Sequence, residues 1–226
     1  MSEHLSLVTT GDGSATIFNA RVGENYHSRH GALQESRHVF LHSGLEFFLA
    51  GHPSPAVSVL EVGLGTGLNF LLSADHCESA RIRLDYTGIE AFPLDREMIR
   101  QTGYQQYVSE TVWNDFTAGY ERSMTEPVRV GEHCALTTAH TTLMDFRSDK
   151  RFDVLYFDAF AAIHQPEMWE PEALQHITAF LRPGGVFVTY AITGNLKRAM
   201  KALGFTVEKA PGAPGKREML RAVRTA

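Results

Sequence analysis

A glycine loop with an acidic residue at its entrance is the part of the sequence with the clearest chemistry. The loop reads Glu61-Val62-Gly63-Leu64-Gly65-Thr66-Gly67 and follows a short apolar stretch, 57–62, that predicts a β-strand. Glycine lets the backbone turn sharply and approach a ligand without a Cβ clash. Such a loop between a strand and a helix predicts a nucleotide-type ligand.

The spacing of the glycines argues against a dinucleotide. A dinucleotide loop has the pattern G-x-G-x-x-G, and its third glycine would fall on Leu68 or Phe70. Glu61 would also repel a pyrophosphate, whereas a carboxylate can accept from an ammonium group or pair with it through water. Glu90 ends the next predicted strand, the usual place for an acid that holds both ribose hydroxyls.

This combination resembles motif I and the following acid of class I methyltransferases, which use S-adenosylmethionine. Asp158 ends a later apolar strand, 152–157, at the sheet edge that would face the methyl group of that cofactor. For an amine acceptor, a carboxylate there can orient the N–H groups and stabilise the cation that forms. The alternative is that Asp158 caps a loop or holds the methionine amino group.

The elements that must position these residues alternate between strand and helix. Strands are expected at 57–62, 84–89, 134–139, 152–157 and 186–190, with two more near 205–209 and 218–224. Alternation of this kind predicts an α/β, Rossmann-like fold with a mainly parallel seven-stranded sheet and helices on both faces. We expect a hairpin and helical extension over 1–50 and a methyltransferase domain over 51–226, forming one compact unit.

Composition limits the class of protein further. With 226 residues, 43% hydrophobic and 21% charged, the chain is neither disordered nor collagen-like. It has no apolar run long enough to span a bilayer and no secretory signal, so no membrane contact and a cytoplasmic location are expected. The 11 histidines show no spacing that completes a known metal site, so no metal is expected. No nucleophile elbow supports hydrolase chemistry.

Charge is unevenly distributed along the chain. The whole chain carries a net charge of −5, but 197–226 contains eight basic and two acidic residues. A basic end on an acidic body fits a local phosphate contact. A solvated final helix and hairpin would give the same pattern, so charge alone leaves both interpretations open.

Several stretches together resemble the methyltransferase domain of MnmC-type enzymes, which finish the 5-methylaminomethyl-2-thiouridine modification at the tRNA wobble position. The resemblance covers nearly the whole chain. Its matching stretches are Tyr26-His27-Ser28, 33–40, 61–71, Asp158-Ala159-Phe160-Ala161, Pro166-Glu167-Met168-Trp169, Leu181-Arg182-Pro183-Gly184-Gly185, Pro211-Gly212 and Gly215-Lys216-Arg217-Glu218-Met219-Leu220.

The resemblance implies a tRNA (5-methylaminomethyl-2-thiouridine) methyltransferase that methylates the exocyclic amine of 5-aminomethyl-(2-thio)uridine. Asp158 would be catalytic and face the amine, and tRNA would meet the basic C-terminal segment. The residues expected to hold S-adenosylmethionine are Glu61, Gly63, Gly65, Thr66, Gly67, Asn69, Glu90, Thr142 and Asp158, and those expected to contact substrate are Tyr26, Phe160, Lys216 and Arg217.

The chain also departs from that family. Longer members carry a flavin-dependent oxidase domain, so this chain resembles the stand-alone form and no FAD is expected. The usual Gly-Asp after the third strand is Thr141-Thr142 here, so Thr142 or a backbone carbonyl would have to meet the adenine amine. Ala162 replaces a proline, and Ala213 replaces an aromatic residue. A monomer or weak homodimer is expected.

Two other functions stay open at the level of sequence. One keeps the cofactor but methylates, or transfers an aminopropyl group to, a small-molecule amine, which the acidic body of the chain fits. The other is a non-catalytic tRNA-binding protein, for which the departures at Thr142 and Ala162 are the support.

Overall fold

A small antiparallel sheet opens the chain in the computed structural model, which describes residues 4–225. Its strands are β1 (Leu5–Thr9), β2 (Ala15–Asn19) and β3 (Glu24–Asn25). The carboxylate of Asp12 accepts from the backbone N–H of Ser14 at 3.0 Å and closes the β1–β2 turn. A carboxylate two residues before the amide it binds is a typical Asx turn.

A helical segment follows and packs on the main sheet. It runs through α1 (Ala32–Glu35), a π-helical stretch (Ser36–Glu46) and α2 (Phe47–Gly51). Gly44 allows this helical segment to lie close to the sheet, because a Cβ at that position would lie only 2.9 Å from Cε1 of Tyr156 in the main sheet. The N-terminal extension is therefore seated directly on the central strands.

The main sheet has eight strands in the order β10-β11-β9-β8-β4-β5-β7-β6. The inner strands β9, β8, β4, β5 and β7 are parallel, and β6, β11 and β10 join antiparallel. Their bounds are β4 (Ala56–Val62), β5 (Arg83–Ile89), β6 (Val128–Val130), β7 (Cys134–Ala139), β8 (Phe152–Phe157), β9 (Leu181–Thr189), β10 (Phe205–Pro211) and β11 (Glu218–Arg224).

The predicted fold class is confirmed, but the predicted count of seven strands is wrong by one. The additional strand, β6, has three residues and pairs with β7 alone at the sheet edge. A segment that short shows no alternation long enough to be recognised in sequence. It forms because the chain returns beside β7 through a tight turn at Gly131, which has a positive φ of 66°.

Helices cover both faces of the main sheet. Successive strand residues such as Val59 and Leu60 point to opposite faces, and they belong to two separate clusters of buried apolar side chains. The π-helical stretch, α3 and α5 pack on one face, and α6 and α7 on the other. The remaining helices are α3 (Leu68–Ala80), α4 (Arg96–Gln101), α5 (Glu110–Gly119), α6 (Pro171–Thr178) and α7 (Gly194–Ala202), with 3₁₀ turns at Tyr104–Gln106, Arg122–Met124 and Pro166–Trp169.

The five parallel strands place their carboxyl ends along one edge of the sheet. In sheet order, the residues that follow β9, β8, β4, β5 and β7 are Tyr190, Asp158, Gly63, Glu90 and His140. A parallel sheet with covering helices binds ligands at this edge, so the topology alone brings these positions to one site. Among the helices of 4–225, none is long and apolar enough to cross a membrane.

Candidate active site

A cavity of about 1120 Å³ opens at the carboxyl edge of the parallel strands. Most of the residues predicted from sequence meet there, although three do not line it: Glu61, Gly67 and Arg217. The predicted residues that do line the cavity are Tyr26, Gly63, Gly65, Thr66, Asn69, Glu90, Thr142, Asp158, Phe160 and Lys216.

The glycine loop forms the floor of this cavity, and two of its positions accept no side chain. Gly63 has a φ of 84°, and a Cβ there would lie 2.6 Å from the backbone oxygen of Asp158. Gly65 has a φ of 51°, and a Cβ there would lie 2.8 Å from Cδ1 of Tyr26. L-residues other than glycine rarely adopt these φ values. The loop therefore presents bare backbone to a ligand.

Glu61 lies behind the loop rather than in the cavity. Its side chain is fully buried, and its carboxylate accepts from Nδ2 of Asn69 and from the hydroxyl of Tyr86, each at 2.8 Å. Nδ2 of Asn69 donates a second hydrogen bond, also of 2.8 Å, to Oδ2 of Asp158. Asn69 thus links Glu61 on β4 with Asp158 at the end of β8.

The two acids joined by Asn69 share an environment that disfavours ionisation. Burial raises the pKa of Glu61 well above its ordinary value, and the nearby Asp158 adds to the rise. Burial also raises the pKa of Asp158, with a further contribution from Glu35. Oδ1 of Asn69 is buried and has no hydrogen-bond partner among the described residues. Asn69 is also one of the residues that line the cavity, and an acceptor without a partner there fits a ligand that carries N–H groups.

Glu90 is fixed to the opposite wall by two backbone amides. Oε2 accepts from the N–H of Gly65 and Oε1 from the N–H of Phe92, both at 2.9 Å. Burial raises the pKa of this carboxyl, and the two amides oppose that rise. Because each carboxylate oxygen can accept more than one hydrogen bond, both remain available to a pair of hydroxyl groups.

Thr142 lies beside the cavity with its hydroxyl already engaged. The hydroxyl donates to Oδ2 of Asp145 at 2.7 Å and accepts from the Asp145 N–H at 3.2 Å. These contacts form a local turn after β7, in which Thr142 is exposed and lines the cavity mouth with Met144. The turn explains how the segment keeps its shape without the expected Gly-Asp pair.

The loop after Asp158 is held by contacts from three sides. The N–H of Ala161 donates to Oε2 of Glu24 at 2.9 Å, and Nε1 of Trp169 donates to the Phe160 carbonyl at 2.8 Å. The Tyr190 hydroxyl donates to the carbonyl of Ala159 at 2.9 Å. These bonds fix the loop that carries Phe160, whose ring meets Tyr26 edge to face with centroids 5.2 Å apart.

Lys216 and Arg217 are neighbours in sequence with different surroundings. Nζ of Lys216 donates to Oε2 of Glu35 at 2.9 Å inside the cavity and lies 3.9 Å from the centroid of the Tyr190 ring. Arg217 is exposed and lies outside the cavity lining. Elsewhere in the basic segment, Arg221 pairs with Glu208 at 2.9 Å. Part of the C-terminal charge is therefore used within the fold.

Glu24 and Glu35 line the cavity although the sequence pattern did not select them. Neither follows a parallel strand of the main sheet, and neither belongs to a glycine motif. Glu35 is only 5% exposed. The sequence offers no signal for this burial, because it depends on how the N-terminal extension packs on the sheet.

Comparisons with known proteins identify the family to which the chain belongs. A family model described as S-adenosyl-L-methionine-dependent methyltransferase matches residues 105–225, more than half of the chain. The chain therefore belongs to that family of enzymes. The positive-φ glycine loop, the free Oδ1 of Asn69 and the fixed Glu90 carboxylate fit S-adenosylmethionine as the cofactor.

Relatives of known name match almost the whole chain. The chain is 31% identical over 241 residues to the tRNA 5-methylaminomethyl-2-thiouridine biosynthesis bifunctional protein MnmC of Magnetococcus marinus, covering 99% of this chain and 36% of the relative. The protein of the same name from Chromobacterium violaceum is 33% identical over 89% of this chain and 32% of its own length. The chain spans about a third of these relatives, so it corresponds to one part of them.

Solved structures support the fold. MnmC2 from Aquifex aeolicus superposes with a TM-score of 0.75 at 22% identity, over 96% of this chain and 70% of that one. Spermidine synthase from Thermotoga maritima gives 0.57 at 14% identity, over 97% and 68%. At these identities the likeness concerns the fold alone.

Proposed function

We propose that this protein transfers a methyl group from S-adenosylmethionine to the exocyclic amine of 5-aminomethyl-(2-thio)uridine at the tRNA wobble position. The product would be 5-methylaminomethyl-(2-thio)uridine. The observation that carries the proposal is the match of 99% of the chain to a relative named for biosynthesis of that nucleoside. The cavity supports it with a carboxylate at the end of the strand where an acceptor amine would lie.

The cofactor roles follow the two walls of the cavity. Glu90 would accept from the ribose hydroxyls, and Oδ1 of Asn69 would accept from the amino group of the methionine end. Gly63, Gly65 and Thr66 would provide the backbone floor, and Thr142 would lie near the adenine. Glu61 and Gly67 would act indirectly: Glu61 holds Asn69 in place, and Gly67 leaves space for the ring of Phe116.

Asp158 would be the catalytic residue. Bound S-adenosylmethionine supplies an electrophilic methyl group: as the new N–C bond forms, the C–S bond breaks and its electron pair goes to sulfur. Oδ2 of Asp158 accepts a hydrogen bond from Asn69, which leaves Oδ1 to accept one from an N–H of the acceptor amine. Because burial raises its pKa, this carboxylate binds a proton more readily than an ordinary aspartate. It would take the proton that the amine must lose.

Further parts of the proposal concern substrate and setting. Tyr26 and Phe160 would contact the target base, and the exposed Arg217 would meet tRNA phosphate, with Lys216 beside the base. The segments 1–50 and 51–226 would act as one unit, because described residues of both line the cavity; residues 1–3 and 226 lie outside the described part of the chain. We propose a monomer or weak homodimer that needs neither FAD nor metal and acts in the cytoplasm, where its tRNA is.

A small-molecule amine is the second candidate acceptor. The acidic side chains Glu24, Glu35 and Asp158 line one part of the cavity and would suit a free polyamine. This reading predicts methyl or aminopropyl transfer without RNA. An assay with both acceptor classes separates the two functions.

The test is methyl transfer from labelled S-adenosylmethionine to bulk tRNA of cells that lack this activity, with nucleoside analysis of the product. Asp158→Asn keeps the shape and is the active-site control, and spermidine and putrescine are the competing acceptors. Label in 5-methylaminomethyl-(2-thio)uridine, lost in Asp158→Asn, supports the proposal. Label in the free amines alone refutes it in favour of the second candidate.

A further inference from the structure

Lys216 occupies the side of the cavity where an acceptor would bind. The strand order places Tyr190 and Asp158, which follow β9 and β8, on one side of the glycine loop and Glu90 on the other. Lys216 lies over the Tyr190 ring, so it belongs to the Asp158 side. It therefore lies on the opposite side of the glycine loop from Glu90, the residue that would accept from a ribose.

The Lys216 side chain is fixed by one hydrogen bond and has further N–H groups that can donate. Its ammonium has three N–H groups, and the partner that accepts from it among the described residues is Glu35, at 2.9 Å. Glu35 is itself fixed, because Oε1 accepts from the N–H of Ser28 at 2.9 Å. The Lys216 side chain is 34% exposed and lines the cavity. Further N–H groups remain for a ligand atom.

The charges around Lys216 define what such a ligand atom must be. Burial and Glu35 raise the pKa of Asp158, and the Lys216 ammonium opposes that rise, so the lysine and the aspartate are electrostatic neighbours. Asp158 suits the amine of an acceptor, and Lys216 suits an oxygen close to that amine. In 5-aminomethyluridine, the carbon that carries the oxygen, C4, is bonded to C5, the carbon that carries the aminomethyl group.

We propose that Lys216, held by Glu35 over the Tyr190 ring, donates a hydrogen bond to the ring oxygen adjacent to the aminomethyl group. The inference rests on the proposed function and adds its specificity: the enzyme selects an aminomethyl group on an oxo-substituted ring. Asp158 and Lys216 together recognise the amine and its neighbouring oxygen. An acceptor without that oxygen gives no partner to the Lys216 N–H groups that Glu35 does not bind.

The test compares two RNAs of which one lacks this oxygen. One carries 5-aminomethyluridine at the wobble position. The other carries 5-aminomethylpyrimidin-2-one, which has hydrogen in place of the C4 oxygen and no hydrogen on N3, so the comparison between wild type and Lys216 variants isolates the contribution of the oxygen. We expect the wild-type protein to prefer the first by about 10- to 100-fold in kcat/KM, the range for a hydrogen bond from a charged donor. Lys216→Met should reduce this preference to within about 3-fold, and Lys216→Arg should restore most of it.

Binding provides a readout separate from turnover. With S-adenosylhomocysteine present, the Kd values of the two RNAs should show the same preference in the wild type and lose it in Lys216→Met. The ratio within each variant does not depend on how much protein is folded. In Lys216→Met the Glu35 carboxylate loses its cationic partner. The double variant Glu35→Gln with Lys216→Met removes this unpaired charge and should also show no preference for the RNA that carries the C4 oxygen.

Lys150→Met is the matched control. Lys150 pairs with Asp85 at 2.9 Å on the surface, outside the cavity lining, so its loss removes one cation without touching the site. It should keep the wild-type ratio. An equal preference in wild type and Lys216→Met overturns the inference alone. If the wild type methylates neither RNA, the proposed function fails and the inference fails with it.

Discussion

The position of Glu61 behind the glycine loop gives a prediction that separates an indirect role from direct cofactor contact. Glu61 is fully buried and reaches Asn69 and Tyr86, but it does not line the cavity. Burial raises the pKa of this carboxyl, so a neutral amide is a close mimic of it. Glu61→Gln retains an oxygen to accept from Asn69. We expect it to bind S-adenosylhomocysteine within about 3-fold of the wild-type Kd, because its contacts with the ligand run through Asn69.

Asn69→Ala is the contrasting variant. It removes the free Oδ1 and both donated hydrogen bonds, one of which holds Asp158. A hydrogen bond to a charged group contributes about 1.5–3 kcal/mol, which corresponds to a loss of affinity of about 10- to 100-fold. Isothermal titration calorimetry with S-adenosylhomocysteine measures both variants, and circular dichroism confirms that they are folded. Equal losses in Glu61→Gln and Asn69→Ala would refute the reasoning and indicate that the Glu61 carboxylate acts on the ligand directly.

Three further predictions concern Asp158, pH and the glycine loop. Asp158→Asn should lower kcat by about 10²- to 10⁴-fold while S-adenosylhomocysteine affinity stays within about 5-fold, since the amide cannot take a proton; single-turnover methyl transfer and calorimetry measure the two effects. Burial raises the pKa values of Asp158 and Glu61, so the folded state binds more protons than the unfolded state above the ordinary carboxyl range, and stability should fall as pH rises from there. Urea unfolding at pH 5 and pH 8 should show this loss, and Glu61→Gln should reduce it; an unchanged slope in that variant would exclude Glu61 as a source. Gly67→Ala should lower the free energy of unfolding by about 2–4 kcal/mol, because φ is 77° and the new Cβ would lie 2.5 Å from Cζ of Phe116. Gly51→Ala, with nothing within 4 Å of its Cβ, is the control and should not destabilise the protein.

The parts of the site that lie at strand ends were predictable because of their local pattern. Gly63, Glu90 and Asp158 each follow an apolar strand, and parallel strands bring their carboxyl ends to one edge. The short edge strand β6 was not predictable, because three residues carry too little pattern. Glu35 was missed for a different reason. It is a buried acid on a helical segment, where sequence favours an exposed position for a carboxylate.

Neighbouring positions in sequence can differ completely in the fold, as Lys216 and Arg217 show. Both were expected from the sequence to contact substrate in the basic C-terminal segment. In the structure, Lys216 pairs with Glu35 inside the cavity, and Arg217 is exposed outside its lining. The turn between β10 and β11 decides the difference, because it directs adjacent side chains to different sides. No local pattern records which side meets the N-terminal extension.

The sequence by itself determined the fold class, the glycine loop and the acids at the strand ends, because backbone freedom and hydrophobic alternation act over a few neighbouring residues. Only the tertiary structure decided that Glu61 is hydrogen-bonded to Asn69 outside the cavity lining, that Glu35 and Lys216 meet, and that both line the cavity with Asp158. Glu35 and Lys216 are 181 positions apart. Such a contact forms when the N-terminal extension packs against the main sheet, to which the C-terminal hairpin β10–β11 belongs. It therefore depends on the packing of the whole chain and not on local sequence.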